Sequence, residues 1–314
     1  MVAVVGLIGY QLFDIGWREV LRALPTEPLF YVLFGVMYLT LPLAEIFIYR
    51  QVWPLPPFEG FKAFLTKRVY NEEVMGYSGE FYLFLWARRH ISQSSRALLA
   101  HIRDNNILSA VTSTAVAFAL IGGLVYSGQL EIMQFIGDVQ AVYWITGAVL
   151  IAVLIGVGIQ FRRHLFSLPM QTAGTVAAIY LVRFLIYHGL LMLQWMVVIP
   201  DTSFSVWLTF LAAFIALNRL PLPSRDLIFV GAGIELSRIL GMAMDAVAGM
   251  LLVMGVLQKT AHLSLFLIIS YTSDDPDLDA VTDADQVASF QRGEPTVEDA
   301  PEEAPNEEDS LSSS

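Results

Sequence analysis

The sequence contains no cysteine, which excludes disulfides and thiolate metal centres and leaves the redox compartment open. It is also poor in charge: 15% of its 314 residues are charged and 56% are hydrophobic. With a mean hydropathy of +0.60 the chain is too apolar for a soluble domain and reads as a membrane protein. Several chemistries lack their local signature. There is no His-Glu-x-x-His stretch, no Gly-x-Ser-x-Gly elbow and no glycine-rich phosphate loop with its Lys and Ser/Thr. The five histidines (His90, His101, His164, His188, His262) are scattered. Zinc or serine hydrolysis and nucleotide-driven transport are therefore not indicated, and the chain reads as a non-enzyme without metal or cofactor. An intramembrane site dispersed over Asp and His on different helices stays open as an alternative. Nothing in the chain reads nucleic acid.

The net charge of -11 is misleading. Residues 274–314 hold 14 acidic residues against the single Arg292, so the remainder is slightly basic. That tail is rich in Pro, Ser, Asp and Glu and poor in aromatics, a composition that buries too little apolar surface to offset ordering entropy. The expected organisation is a helical membrane domain over 1–272 and a disordered acidic tail over 273–314.

Apolar runs long enough to span a bilayer lie near 29–49, 107–127, 139–161, 171–198 and 240–258, with shorter ones near 203–218 and 1–13. The N-terminal run has no basic leader and no small-residue cleavage site, so it reads as a tilted or truncated helix. Arg50, Lys62, Lys67, Arg68, Arg88, Arg89, Arg96 and Arg103 crowd the segment between the 29–49 and 107–127 runs, whereas 128–138 has no basic residue. The positive-inside rule puts 50–106 in the cytoplasm, and three further connections alternate consistently. Residues 58–105 alternate apolar stretches with basic ends, the pattern of amphipathic interfacial helices or of a segment that re-enters the membrane.

Ionisable groups at mid-bilayer cost on the order of 2.5–3.5 kcal/mol on insertion scales, so each demands a partner, a wet cavity or a function. Arg183 stands out in "YLVRFLIYHGLLMLQW", with Tyr187 on the same helical face and His188 one residue further round. It reads as an anion-binding residue facing an internal cavity, or as a structural arginine paired to a neighbouring helix. Glu45, close to Arg50, reads as reaching the headgroups. Asp104 reads as a helix cap at the opening of a span. Asp245, in "GMAMDAVAGM", lies deeper.

Two segments pair glycines with a glutamate, one in each half of the chain: Gly76-Tyr-Ser-Gly79-Glu80 and Gly231-Ala-Gly233-Ile-Glu235. The second follows "RLPLPSRD", in which Pro221 and Pro223 interrupt the preceding helix before Asp226. Interrupted apolar segments at matching positions of two halves point to a midplane binding site. The run from Gly76 to about Gly128 resembles the lysylphosphatidylglycerol synthase transmembrane-region (flippase-like) family, in which a Pro-Gly-Arg-x-Gly-Glu motif precedes a basic stretch, a helix with an aspartate and an apolar span. Here "MGYSGE" keeps both glycines and Glu80 but lacks the proline and arginine, and Asp104 is followed by Asn105 where the family has arginine. The later "PLPSRDLIFVGAGIE" resembles the family's second Pro- and Gly-rich motif, with Gly231 and Gly233 displaced by one.

The resemblance implies an all-α polytopic bundle of seven or eight spans with one or two re-entrant segments, in the bacterial inner membrane, whose partners are membrane lipids. The implied activity is translocation or binding of an anionic or isoprenoid-type lipid. The expected binding residues are Glu80, Arg183, Tyr187, His188 and Glu235, with Arg88 and Arg89 anchoring the first motif to anionic headgroups. The competing expectation is a non-transporting accessory protein that scaffolds a lipid-biosynthetic enzyme through the acidic tail.

Overall fold

The computed structural model describes residues 24–74, 77–126, 167–218 and 225–272, together with Arg18 and Arg22. Gly76, Pro221, Pro223, the side chain of Asp226, the 1–13 and 139–161 runs and the acidic tail lie outside the described residues. Within them the chain is all-helical, with eight helices: α1 Pro28–Tyr49, α2 Pro57–Glu73, α3 Ser78–His90, α4 Ser95–Tyr126, α5 Met170–Val198, α6 Phe204–Leu217, α7 Arg225–Ile239 and α8 Met244–Thr272. Three of them, α1, α5 and α8, are long and apolar enough to cross a membrane. The 171–198 and 29–49 runs match α5 and α1 closely, while α4 starts at Ser95, well before the apolar run it contains.

Prolines open α1 and α2 at the positions where a helix has no use for the missing N–H. Pro42, inside α1, has the opposite effect. It cannot donate to the carbonyl of Tyr38, and the guanidinium of Arg68 on α2 supplies the missing bond, Nη1 donating to Tyr38 O at 2.5 Å. A helix defect in α1 thus becomes an attachment point for α2.

α1 and α5 pack antiparallel: Gln194, near the end of α5, donates Nε2–H to the carbonyl of Phe30 at the start of α1, 2.8 Å away. Between them and α8, α2 and α3 form a hairpin. It enters and leaves at the same end of α1, where Gln93 Nε2 after α3 donates to Val52 O before α2 at 3.1 Å. At 1.5 Å rise per residue the 17 and 13 residues of α2 and α3 measure about 25 and about 20 Å, short of the roughly 30 Å hydrocarbon core. The tip, at Glu73, meets Lys259 near the middle of α8. The hairpin therefore stops about halfway along its neighbours.

For α3 this departs from the expectation of an amphipathic interfacial helix. Every residue of α3 from Ser78 to Ala87 is buried, including Phe81, Leu83 and Phe84. A helix apolar on all sides is a core helix, and α3 is the centre of a cluster that includes Tyr49, Trp53, Phe64, Tyr70 and Tyr180. A second core lies between α5, α6, α7 and α8, built on Trp195, Trp207, Phe210 and Phe229. Helix α5 contributes to both.

The hairpin turn is built for close approach. Ser78 Oγ donates to Tyr70 O at 2.6 Å, and the Gly79 amide donates to Asn71 Oδ1 at 2.8 Å. Tyr77, in the left-handed region at φ 71°, reverses the chain where glycine is usual. A Cβ on Gly79 would run into the backbone carbonyl of Lys67 and the side chain of Asn71, so only glycine lets α3 cross α2 here. We expect Gly79→Ala to lower the thermal stability of the detergent-solubilised protein by about 1–3 kcal/mol or more, the cost of overpacking against unyielding backbone. Gly174→Ala, where a Cβ meets nothing within 4 Å, should leave the unfolding temperature unchanged or raise it.

Candidate functional site

The apolar hairpin holds a buried charge cluster. Lys67 on α2, 6% exposed, lies 2.5 Å from Glu45 Oε1 on α1 and 3.6 Å from Glu80 Oε1 at the start of α3. Glu45 and Glu80 are 3% and 7% exposed. Glu45 thus does not reach the headgroups, as its place near the end of an apolar run suggests; it turns inward because α2 offers it an ammonium. Tyr49 places its ring 5.9 Å from Lys67 Nζ, and Tyr180 of α5 closes the same core.

Arg183, one turn along α5 from Tyr180, lies within electrostatic reach of Glu45 and completes a set of two carboxylates and two cations. It makes no ion pair among the described residues, and its buried Nε has no hydrogen-bond partner among them. Of the sequence-derived candidates, Glu80 and Arg183 therefore converge on one region. His188 turns elsewhere: its Nδ1 lies 2.8 Å from Phe184 O, and its ring packs on Phe184, Tyr187 and Phe214 towards the second core.

The second glycine-glutamate segment behaves differently. Gly233 also sits at a close helix contact, but a softer one than Gly79: a Cβ there would press on the ends of side chains, Leu251 Cδ1 at 2.6 Å and Phe210 at 3.2 Å, and not on backbone. Glu235, in contrast, is half-exposed and pairs with Arg238 on its own helix at 3.2 Å. Gly231 is buried beside it on α7. Asp245 lies in the first turn of α8, where the helix dipole favours a carboxylate.

Asp104 is fully buried but does not cap α4, since it lies well inside that helix. It holds the entry of α5 instead: Oδ2 accepts from the Ser167 amide at 2.6 Å, Ser167 Oγ at 2.7 Å and the Leu168 amide at 3.1 Å, while Arg103 donates to Oδ1 at 2.9 Å. Neighbouring Asn105 is 1% exposed with neither amide atom hydrogen-bonded among the described residues. At the mouth of the hairpin, Arg88 and Arg89 occupy the last turn of α3, where cations suit the helix dipole. Close by, burial holds the His101 imidazole below the usual histidine range against the pull of Asp104, and its Nδ1 accepts from Trp53 Nε1 at 3.1 Å.

Lys67, Glu73, Lys259 and His262 did not emerge as site residues from the sequence. Lys67 reads there only as one of many cytoplasmic cations. The signal that points to it is Glu45, a carboxylate in an apolar helix that needs a cation from somewhere. No group of three or more metal-ligating side chains occurs among the described residues.

No family model, curated protein or solved structure matches the chain. The all-helical architecture with three apolar helices of membrane-crossing length defines the class as a helical membrane protein. Any narrower assignment rests on the site itself.

One prediction tests the cluster and a second tests the neighbouring tie between α1 and α2. Removing one partner of a buried ion pair strands the other, so Lys67→Met should cost about 3–5 kcal/mol in thermal unfolding, and Glu45→Gln combined with Lys67→Met should recover part of that loss. Arg68→Met should destabilise the protein in the native background but much less with Pro42→Ala, which restores the helical donor to Tyr38; a double-mutant cycle should read a coupling of about 0.5–3 kcal/mol, and strict additivity would refute the Pro42–Arg68 link.

Proposed function

We propose that the chain is a multi-pass protein of the bacterial cytoplasmic membrane that binds or translocates a lipid with an anionic headgroup, using the half-depth hairpin α2–α3 and the charges at its flank. The observation that carries this reading is Arg183. A guanidinium inside an apolar bundle, with a buried Nε lacking a protein partner among the described residues, is suited to charge-assisted hydrogen bonds with a phosphate. Glu45, Lys67 and Glu80 balance their charges among themselves apart from one negative charge, which orients Arg183 while leaving its remaining donors for a ligand.

The hairpin supports the same reading. Non-spanning helices are tolerated at membrane depth where protein covers them, and they interrupt the apolar barrier that a headgroup must pass. Arg88 and Arg89 at its mouth suit anionic lipid at the surface. The resemblance of the Gly76–Glu80 segment to the lysylphosphatidylglycerol synthase transmembrane-region family points in the same direction, towards phospholipid or isoprenoid-linked substrates.

Lipids that co-purify with the full-length protein in mild detergent, identified by mass spectrometry, test this directly. One anionic lipid class should be enriched over the bulk membrane, and Arg183→Ala should reduce that enrichment about tenfold or more, the equivalent of one charge-assisted hydrogen bond, with Arg183→Lys intermediate. A lipid profile identical to the bulk membrane in wild type and variant would overturn the binding reading and favour the scaffold.

A further inference from the structure

The contacts of α8 fix where its last residue lies. Trp195 Nε1 on α5 donates to Met254 Sδ at 3.3 Å, and neighbouring Gln194 holds Phe30 O, so Met254 is level with the start of α1. Eight residues further along each helix, Tyr38 and His262 pack their rings 5.3 Å apart. Helices α1 and α8 therefore run parallel and in step. Ten residues further again, α8 ends at Thr272, level with Ile48, and Arg50 follows on α1 as Asp274 follows on α8. Helix α2 gives the same position from the other side. Lys259 pairs with Glu73, and Phe266 packs on Tyr70, so α8 runs antiparallel to α2. Lys62 lies eleven residues before Glu73, about three helical turns, and so shares its stripe on α2. Eleven residues beyond Lys259 is Ser270, which puts the end of α8 within a turn of the level of Lys62. The last turn of α8 thus arrives at the mouth of the hairpin, not at its tip.

The rim around that point is basic. Arg50 and Lys62 are exposed, and exposed Arg96 is brought beside them by the Gln93–Val52 hydrogen bond that ties the entry of α4 to the entry of α2. The Lys62 ammonium lies 4.6 Å from the Phe58 ring centroid and has no carboxylate within ion-pair distance among the described residues. Glu59 is the exposed carboxylate nearby. The chain leaving α8 has the opposite charge: Asp274-Asp-Pro-Asp-Leu-Asp279 places four carboxylates within six residues, and no cation follows before Arg292. We propose that the segment Asp274–Asp279 docks on this rim, its carboxylates meeting Arg50 and Lys62, so that the chain's own acidic tail covers the mouth of the hairpin. Seven residues extend at most about 25 Å, so the segment stays close to the rim whatever conformation it adopts. A single exposed ion pair contributes little, but here several act in one contact and the tether keeps their effective concentration high. Docked there, the tail stands between the mouth and anionic headgroups and lowers their access to it. The inference rests on the direction of α8 and the charge of the rim, and holds whatever the hairpin carries.

The absence of native cysteine allows a clean test on the full chain in bilayers of zwitterionic lipid. Spin labels on cysteines replacing Ser92, exposed at the mouth, and Ala280, just beyond the acidic segment, report their separation. At about 0.1 M salt one short, narrow distance should dominate. At about 1 M salt, where the Debye length falls to about 3 Å, that population should shrink by about half or more. Changing Asp274, Asp275, Asp277 and Asp279 together to Asn should remove it already at low salt, as should Arg50→Gln combined with Lys62→Gln, which alters exposed side chains only. Changing four distal carboxylates, Glu302, Glu303, Glu307 and Glu308, to Gln should leave it in place. The short distance should also persist when about a third of the lipid is anionic and when labelled protein is diluted with an excess of unlabelled protein, because the tether supplies the segment locally. No short distance in the wild type, a short distance that survives both neutralised variants, or an equal loss in the distal variant would overturn the proposal. Loss in the anionic bilayer alone would overturn it by giving the rim to lipid headgroups, and loss on dilution by giving it to the tail of a second copy.

Discussion

A helical hairpin that stops halfway along its neighbours is fixed by its own turn, whose backbone groups are met by side chains of the two helices it joins. The rest of the molecule is arranged around that constraint. Ser78 and Asn71 close the turn with hydrogen bonds back onto α2 and α3, and Gly79 lets the two helices approach to the distance at which those bonds form. Consecutive residues on α2 then fasten it to α1, Lys67 through Glu45 and Arg68 through the carbonyl that Pro42 leaves open. The Lys67–Glu45 pair is the central fastening. Both groups are buried, and neither has a solvent-exposed alternative, so α2 cannot shift along α1 without separating opposite charges in a low-dielectric interior.

Much of this architecture is legible in the sequence, and the limits have physical causes. Helices α1 and α5 follow from uninterrupted apolar runs, and α5 coincides with its run almost residue for residue. The hairpin is visible as two short apolar stretches with basic ends and a glycine-rich turn between them, but its burial is not. A helix such as α3, with Arg88, Arg89 and His90 at one end, looks interfacial when its partners are unknown. Glu45, Asp104 and Lys67 illustrate the same loss of information. Each sits where a local rule offers an adequate explanation, headgroup contact, dipole capping or the positive-inside bias, and each is instead engaged by a residue distant in sequence. Local rules have no access to a partner 22 or 63 residues away.

The two glycine-glutamate segments are alike in packing and unlike in charge. Gly79 and Gly233 both mark close helix contacts, the first against backbone and the second against the ends of the Leu251 and Phe210 side chains. Glu80 enters the buried cluster, whereas Glu235 stays at the surface with Arg238. The recurrence in sequence therefore reflects a shared demand for close helix contact, not a duplicated binding group. The asymmetry concentrates polar chemistry in the α1–α2–α3 half and leaves the α5–α8 half to an aromatic core in which Trp195, Trp207, Phe210 and Phe229 meet mostly edge to face or tilted. Helix α5 lies between the halves, with Tyr180 turned to one core and His188 to the other.

That arrangement gives α2 a mechanical role. Lys67 and Glu73 lie on one helix, six residues and about 9 Å apart along its axis, so the charge cluster near Arg183 and the Glu73–Lys259 pair on α8 are joined by a rigid element. A displacement of the tip cannot be absorbed between them unless α2 itself bends, and α2 contains no interior proline to bend it. A shift of α2 therefore disturbs both pairs together, and Lys67 also holds Glu45, which lies within electrostatic reach of Arg183.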